Sequence, residues 1–427
     1  MRDRIRALRK SAGLRHGLTM GVAMVLAGGL DYGVNVLAGR WLVPIEYGVF
    51  VAVAAILQVL VNVTNAIRNV VAFYTSELSA RAETKKLGAF IHQAWGWSWR
   101  WGLLGTAAMA VVSPLIARAL RLPGPWPLWA ACPSVLLLFV RPITDGALQG
   151  IQAFGRFGMV QVLQSLLRLL FAALLIWLGF QSAGAIFALP LACAVALLLA
   201  LWFLRPLFRE RAPTSGHAVS WHYSAYTLLG LGAFAVVTNL DAVFVKRFFS
   251  PEVAGNYGPV VTLAKVSLFL PMAIGIVLFP KVTQRQVAGK DPRPILLTAL
   301  AATLLPGLVL TSIYFMFHGV LVKLIFTRAY TDPGVVLVLA TLASTLFAGL
   351  NIWLNYALSL ERPGFVYALV GVFAWQATAM LLFGRSNLVR MTWAMVSAGV
   401  VGNVAGYMTT RFRVVNSTRA GAEVAGV

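Results

Sequence analysis

Residues 48–73, GVFVAVAAILQVLVNVTNAIRNVVAF, form a long run in which almost every side chain is apolar. A helix needs about 20 such residues to cross the hydrocarbon layer of a membrane, and this run is long enough. The exceptions cluster in its second half, where three asparagines, a threonine and Arg68 occur within residues 61–70. The stretch therefore predicts a membrane-spanning helix that carries polar groups and a positive charge near its middle.

The composition of the whole chain also indicates a membrane protein. Of its 427 residues, 59% are hydrophobic and 11% are charged, and the mean hydropathy is +0.81. A soluble globular domain carries roughly 25% charged residues, so most of this protein's surface must face something other than water. We predict an all-α integral membrane protein.

Apolar windows predict about twelve transmembrane helices joined by short connections. The short connections leave no room for an inserted soluble domain, which excludes a mechanism that needs a large extramembrane catalytic loop, and we expect no enzyme activity. The predicted helices lie near residues 17–39, 48–73, 89–117, 127–149, 158–180, 184–206, 223–248, 257–280, 295–318, 333–359, 364–384 and 390–411.

The distribution of positive charge predicts the orientation. More than half of the 35 lysines and arginines fall at the N-terminus, at the C-terminus and in alternate loops, and about a quarter fall in the other loops. Cytoplasmic loops carry the excess of Lys and Arg, so we expect both termini in the cytoplasm. The net charge of +22 then reflects contact with anionic membrane lipids and not nucleic-acid binding.

The two halves of the chain resemble each other. Residues 30–50 read LDYGVNVLAGRWLVPIEYGVF and residues 240–260 read LDAVFVKRFFSPEVAGNYGPV. In both, an aspartate (Asp31 or Asp241) lies sixteen residues before a Tyr-Gly pair, with a proline and a glutamate between them. Because each half has six helices, the halves share one orientation, as in parallel-repeat transporters. We predict an N-terminal six-helix bundle (1–208), a cytoplasmic linker (209–222), a C-terminal six-helix bundle (223–411) and a cytoplasmic tail (412–427).

Polar side chains form stripes on the second and fifth helices. Four amides on the second helix, Gln58, Asn62, Asn65 and Asn69, follow the spacing of one helix face, with Arg68 beside them. Asparagines in a membrane helix can form hydrogen bonds to neighbouring helices, and this would explain the asparagines without a substrate. An arginine near mid-membrane needs a partner or a water-filled cavity. On the fifth helix, one face carries Gln161, Gln164, Ser165 and Arg168.

Other charges fall within predicted helices. Arg141 and Asp145 are four residues apart on the fourth helix and can pair with each other. Lys265 lies on the eighth helix, where reaching toward the membrane surface is an alternative to a buried role, and that alternative is favoured for Arg100. The three aspartates in predicted helices, which are the candidates for ion coupling, are Asp31, Asp145 and Asp241.

The balance of these charges is positive, with five cations against the three aspartates. If the stripes converge, they line a cavity that attracts phosphate, and two arginines could hold a pyrophosphate in a bidentate way. The alternative is that each arginine only pairs with a carboxylate. The candidate substrate-binding residues are Arg68, Arg141, Arg168, Lys265, Asn62, Asn65, Asn69, Gln161 and Gln164. The histidines and the two cysteines, Cys132 and Cys193, show no metal-ligand pattern, so we expect no metal, no cofactor and no catalytic residues.

Four segments carry a family resemblance: LVPIEYGVF (42–50), GALQGIQAFGRFGMVQVLQSLLRLL (146–170), NLDAVFVKRFFSPEVAGNYGPV (239–260) and FLPMAIGIVLFPKVTQ (269–284). In this order they resemble polysaccharide transporters, namely the O-antigen (Wzx-type) flippases and capsule exporters of the multidrug/oligosaccharidyl-lipid/polysaccharide superfamily. The resemblance spans most of the chain and is weakest in the last helices.

The resemblance implies two pseudo-symmetric six-helix bundles around a central cavity. It implies alternating-access translocation of an undecaprenyl-pyrophosphate-linked oligosaccharide, the repeat unit of an O-antigen, capsule or exopolysaccharide, across the bacterial inner (plasma) membrane. Related flippases carry cations in the cavity, and the positions that fit here are Arg68, Arg141 and Arg168. Polysaccharide polymerase and assembly proteins are the protein partners that it implies.

Two rival functions stay open at this point. A drug/cation antiporter of the same superfamily would require a net acidic cavity, whereas the embedded charges here are mostly positive. A membrane polysaccharide polymerase or ligase would require catalytic residues together with an extended outer loop, and no connection is that long.

Overall fold

A computed structural model describes residues 12–81, 83–209, 221–268, 291, 293–327, 329–360 and 363–424. For residues 12–19, 209, 221–225 and 410–424 only the backbone is described.

The described residues form twelve α-helices and no β-strand. The helices are α1 (Ala12–Trp41), α2 (Pro44–Ala80), α3 (Thr84–Ala119), α4 (Trp126–Gly150), α5 (Phe154–Trp177), α6 (Gln181–Arg209), α7 (Trp221–Phe248), α8 (Pro251–Ala264), α9 (Arg293–Ile325), α10 (Val335–Ser359), α11 (Gly364–Phe383) and α12 (Leu388–Val424). Eleven of them are long and apolar enough to cross a membrane. The predicted all-α membrane fold is confirmed. The predicted eighth helix extends past Leu268, where it lies outside the described residues.

The polar connection expected between the second and third helices is much shorter than predicted. Helix α2 continues to Ala80 and α3 begins at Thr84. Ion pairs along the helix surface support these ends, at 2.7 Å between Arg81 and Glu77 and 3.0 Å between Lys86 and Glu83. Helix α2 has 37 residues, about 55 Å at 1.5 Å per residue, so it extends beyond a hydrocarbon layer of about 30 Å.

The described chain divides into two compact units. The first comprises Met1–Ser224 and Ala242–Gly258, and the second comprises Ala225–Asp241 and Pro259–Val427. The first unit therefore contains α1 to α6 together with both ends of α7 and the start of α8.

Within the first unit, α2 and α4 cross at two glycines spaced four residues apart. A methyl carbon placed on Gly146 would lie 2.6 Å from the backbone oxygen of Arg68, and one on Gly150 would lie 2.8 Å from that of Ala72. Small residues at this spacing let the backbones of membrane helices approach closely. The crossing therefore fixes the middle of α2 against the part of α4 that carries Asp145.

We expect Gly150→Val to lower the amount of folded protein, because the added carbons have no room beside Thr75 and Ala72. Overpacking of this kind costs about 1–3 kcal/mol. Gly29→Val is the matched control, since nothing lies within 4 Å of the position that its Cβ would occupy. Size-exclusion chromatography of detergent extracts would measure both variants, and equal yields would contradict the described crossing.

The two copies of the repeated sequence pack against each other in the first unit. A methyl carbon on Gly48 would lie 3.0 Å from the backbone of Ala254, and one on Gly258 would touch the ring of Tyr47. Beside this contact, Glu46 accepts hydrogen bonds from the backbone N–H and the hydroxyl of Ser182. The contact between Gly48 and Ala254 holds the start of α8 on the start of α2. The Glu46 hydrogen bonds join α2 to α6.

Buried amides join the helices of the second unit. The Asn403 amide on α12 donates to the backbone oxygens of Leu346 (3.0 Å) and Gly399 (2.8 Å) and accepts from the Trp353 indole at 3.2 Å. Gln376 on α11 donates to the Val237 oxygen on α7 at 3.1 Å. These bonds satisfy amide groups that would otherwise be costly among apolar side chains, although the Gln376 amide oxygen has no partner among the described residues.

Candidate anion-binding site

Arg68 lies in the second half of α2, and its guanidinium has no hydrogen-bond or ion-pair partner in the described part of the chain. Its Nε is fully buried. The crossing at Gly146 places the Arg68 backbone against α4, and the charges of Asp145 and Arg141 both act on the Arg68 side chain. Arg68 therefore adds a positive charge beside a pair that is already neutral.

The asparagines near Arg68 are also unbonded through their side chains. Among the described residues, no hydrogen bond joins Asn62, Asn65 or Asn69 to another helix, and Asn69 is exposed. Gln58, one turn before Asn62, is exposed as well. The amide stripe of α2 thus presents free donors and acceptors.

Arg141 lies in a buried polar network between α4 and α5. Its Nε donates to Asp145 at 3.2 Å, and its two terminal nitrogens donate to Gln164 and, at 2.6 Å, to Gln161. The Arg141 and Asp145 side chains are only 6% and 9% exposed. Gln161 and Gln164 therefore accept hydrogen bonds from Arg141 and orient its guanidinium.

Arg168 on α5 pairs with Asp31 on α1. The Arg168 guanidinium lies 2.9 Å from the Asp31 carboxylate, which also accepts a hydrogen bond from the Ser165 hydroxyl at 3.0 Å. These side chains are 18% and 39% exposed, respectively, so this pair is more open than the Arg141 pair. The Arg168 Nε is buried and has no partner among the described residues.

The two ion pairs and Arg68 belong to one cluster. The charges of both arginine–aspartate pairs act on the thiol of Cys193, which is buried on α6. The charges of Arg141 and Asp145 also act on Arg68. Three arginines face two aspartates, so the cluster has one excess positive charge. Charges interact more strongly in such low-dielectric surroundings than in water, and the arrangement favours an anion.

The second unit holds two of the predicted residues, Lys265 and Asp241. The Lys265 ammonium, immediately after α8, donates to the Asn239 amide oxygen at 2.7 Å, and the Asp241 charge acts on it. The Asn355 amide on α10 donates within its own helix to Asn351. The structure brings Lys265, Asn239 and Asp241 together.

Arg100 on α3 is exposed, as are the indoles of Trp97 and Trp101, whose ring centroids are 6.0 Å apart. Arg100 lies near the middle of α3, not near its end, so a position at the membrane surface stays a prediction. This environment differs from that of the arginine cluster, in which the arginines are half-buried or buried.

Sequence reasoning did not anticipate the pairing of Arg168 with Asp31 or the location of Cys193 beside both pairs. Asp31 and Arg168 are 137 residues apart, so no helical spacing links them. The only available signal was that each is an isolated charge within an apolar run. No group of three or more His, Cys, Asp or Glu side chains that could hold a metal ion occurs in the ranges that the structure describes.

Comparisons with known proteins identify similar structures. No protein-family model and no curated protein matches the sequence. An inward-facing multidrug resistance MATE family transporter of the MOP superfamily superposes with a TM-score of 0.74 at 11% identity, covering 91% of this chain and 99% of the transporter. An outward-facing MATE structure gives a TM-score of 0.62 at 12% identity, covering 95% and 96%.

The lipid II flippase MurJ, in an inward closed conformation, gives a TM-score of 0.68 at 12% identity, covering 92% of this chain and 87% of MurJ. At these identities the similarity concerns the fold. The chain therefore has the membrane-transporter fold that the MATE proteins and MurJ share.

Proposed function

We propose that this protein is a flippase that moves an undecaprenyl-pyrophosphate-linked oligosaccharide across the bacterial inner membrane by alternating access. The substrate is the repeat unit of an O-antigen, capsule or exopolysaccharide. The observation that carries the proposal is the guanidinium of Arg68, which has no partner among the described residues and lies in the second half of a long apolar helix, beside two arginines that are already held by carboxylates.

An arginine in mid-membrane costs several kcal/mol unless it meets water or a counter-ion. The cluster around Arg68 has too few carboxylates to neutralise it. A pyrophosphate would supply the missing negative charge, and its oxygens suit the planar fork of guanidinium N–H groups. Arg68, Arg168 and the spare donors of Arg141 are the groups that would bind it.

The free amides on α2 suit the oligosaccharide. Sugar hydroxyls donate and accept hydrogen bonds, and an asparagine amide does both. Asn62, Asn65 and Asn69 extend for about 10 Å along α2, a length comparable to two sugar rings. Lys265, whose ammonium donates to the Asn239 amide oxygen, is a further candidate contact for the substrate.

The polar head group would cross in a cavity between two six-helix bundles while the lipid tail stays in the bilayer. The rocking of one bundle against the other would open the cavity to each side in turn. Both termini would lie in the cytoplasm, in contact with anionic lipids. The proposed transport requires no catalytic residue, cofactor or nucleic acid. Polysaccharide polymerase and assembly proteins would use the exported repeat unit. MurJ, a lipid II flippase by name, supports a lipid-linked substrate.

A drug/cation antiporter is the second candidate function, because the similar structures include multidrug resistance MATE transporters. A cationic drug would bind best to a net acidic site. The arginine cluster has the opposite charge, which favours the flippase.

Deletion of the gene tests the choice between these functions. We expect loss of surface polysaccharide, with lipid-linked repeat units still made and retained in the inner leaflet. Failure to make the repeat units would indicate an enzyme. Normal polysaccharide together with hypersensitivity to cationic drugs would favour the antiporter.

Reporter fusions test the proposed orientation. Fusions within 75–88, 207–222 and 281–294 should report a cytoplasmic location, because these segments carry much of the positive charge. Fusions within 118–126 and 385–390 are the matched outer controls. A periplasmic signal from any of the first three segments would show that the number of crossings is wrong.

A further inference from the structure

The two arginine–aspartate pairs of the cluster differ in how firmly they are held. The Arg141 guanidinium has three acceptors and is almost fully buried. Arg168 meets one carboxylate, its Nε has no partner among the described residues, and the Asp31 carboxylate is 39% exposed. A partly exposed pair with one contact is easier to separate than a buried pair with several. Arg168 is therefore the arginine that can change its partner.

Asp31 would remain supported if Arg168 left it. The Ser165 hydroxyl donates to the second carboxylate oxygen of Asp31 at 3.0 Å, and the Asp31 side chain is 39% exposed. The charges that act on this region among the described residues include those of Arg141, Asp145 and Arg68. Asp31 would therefore keep a hydrogen-bond donor after Arg168 had left it.

We propose that Asp31 is a counter-ion that the substrate's phosphate groups replace on Arg168, and that this exchange selects pyrophosphates over singly charged lipids. The inference rests on the proposed function, because it takes the cluster as the binding site of the anionic head group.

The physical reason lies in the charge that each ligand brings. A phosphodiester lipid carries one negative charge, so it gains little by displacing a carboxylate of the same charge from Arg168. A pyrophosphate carries more charge and more acceptor oxygens, so it can engage Arg68 and Arg168 together. Singly charged phospholipids surround the protein in large excess, and a cluster without Asp31 would bind them.

The test compares two ligands on the full-length protein in nanodiscs made of neutral lipid. The probes are farnesyl pyrophosphate and short-chain phosphatidylglycerol, and the affinity of each is measured by calorimetry. We expect the wild type to prefer farnesyl pyrophosphate. Asp31→Asn should bind phosphatidylglycerol more tightly, so that the preference falls by about two- to tenfold, the effect of releasing one partly exposed pair.

A double-mutant cycle shows whether the effect runs through Arg168. In an Arg168→Gln background, Asp31→Asn should change the preference no further. Glu77→Gln is the matched control, since it removes a carboxylate from another arginine pair in the same unit, 2.7 Å from Arg81, and should leave the preference unchanged. If Asp31→Asn folds poorly, Ser165→Ala, which loosens Asp31 without altering charge, should lower the preference by a smaller factor.

The outcomes separate this inference from the proposed function. An unchanged or increased preference in Asp31→Asn, or a loss that persists in the Arg168→Gln background, would overturn the role of Asp31 while leaving pyrophosphate binding intact. Failure of the wild type to bind farnesyl pyrophosphate more tightly than farnesol would overturn the proposed function itself, and the inference with it.

Discussion

Replacing Arg68 with alanine is expected to reduce export of the surface polysaccharide by about 10- to 100-fold, the loss that corresponds to one charge-assisted hydrogen bond. The protein should still insert at close to wild-type abundance, because Arg68 has no partner among the described residues that its removal would leave unpaired. Arg68→Lys should be impaired less, since it keeps the charge and loses the planar fork. Immunoblots of the polysaccharide and of the protein give both quantities.

The matched control is Arg81→Ala, which removes an exposed arginine from the end of the same helix. It should export normally. If Arg68 served only to neutralise Asp145, Arg68→Ala would instead lower the abundance of the protein, and adding Asp145→Asn would restore it. Restored abundance with intact export in that double variant would refute the assignment of Arg68 to substrate.

Arg141→Ala is expected to have its main effect on folding. It would leave the Asp145 carboxylate buried without its cation and would deprive Gln161 and Gln164 of their donors. Breaking a buried pair from one side costs about 3–5 kcal/mol, so little folded protein should be recovered. Combining Arg141→Met with Asp145→Leu should recover folded protein, because apolar groups of similar size replace the pair, and the yield measured by size-exclusion chromatography checks this.

Arg168→Ala provides the comparison, because its pair with Asp31 is more exposed. We expect a smaller loss of folded protein, about 1 kcal/mol or less in stability. Equal losses for Arg141→Ala and Arg168→Ala would contradict the difference in burial on which the separate roles of these arginines depend.

The positions of the helices could be predicted from the sequence because each membrane crossing requires a long apolar run. The predicted 127–149 and the observed Trp126–Gly150 agree within a residue at each end. The connection between α2 and α3 was predicted too long, because charged residues were taken as loop although pairs such as Glu77 with Arg81 can lie along a helix surface.

The candidate site was predictable only where partners are close in the sequence. Arg141 and Asp145 lie one turn apart, so their spacing alone permits the pair that the structure contains. Asp31 and Arg168 come from α1 and α5, and their contact depends on helix packing that no spacing encodes. The same holds for the Gly146 and Gly150 crossing, since the contacts of a glycine depend on which helix lies opposite.

A translocation assay with purified protein tests the central claim most directly. Proteoliposomes would contain a fluorescent short-chain polyprenyl-pyrophosphate disaccharide, and a membrane-impermeant quencher would report how much of the probe reaches the outer leaflet. We predict that the wild type moves this probe faster than an otherwise identical probe without the pyrophosphate, and that Arg68→Ala, reconstituted at equal density, does not. Equal rates for the wild type and Arg68→Ala, or equal rates for the two probes, would contradict the account.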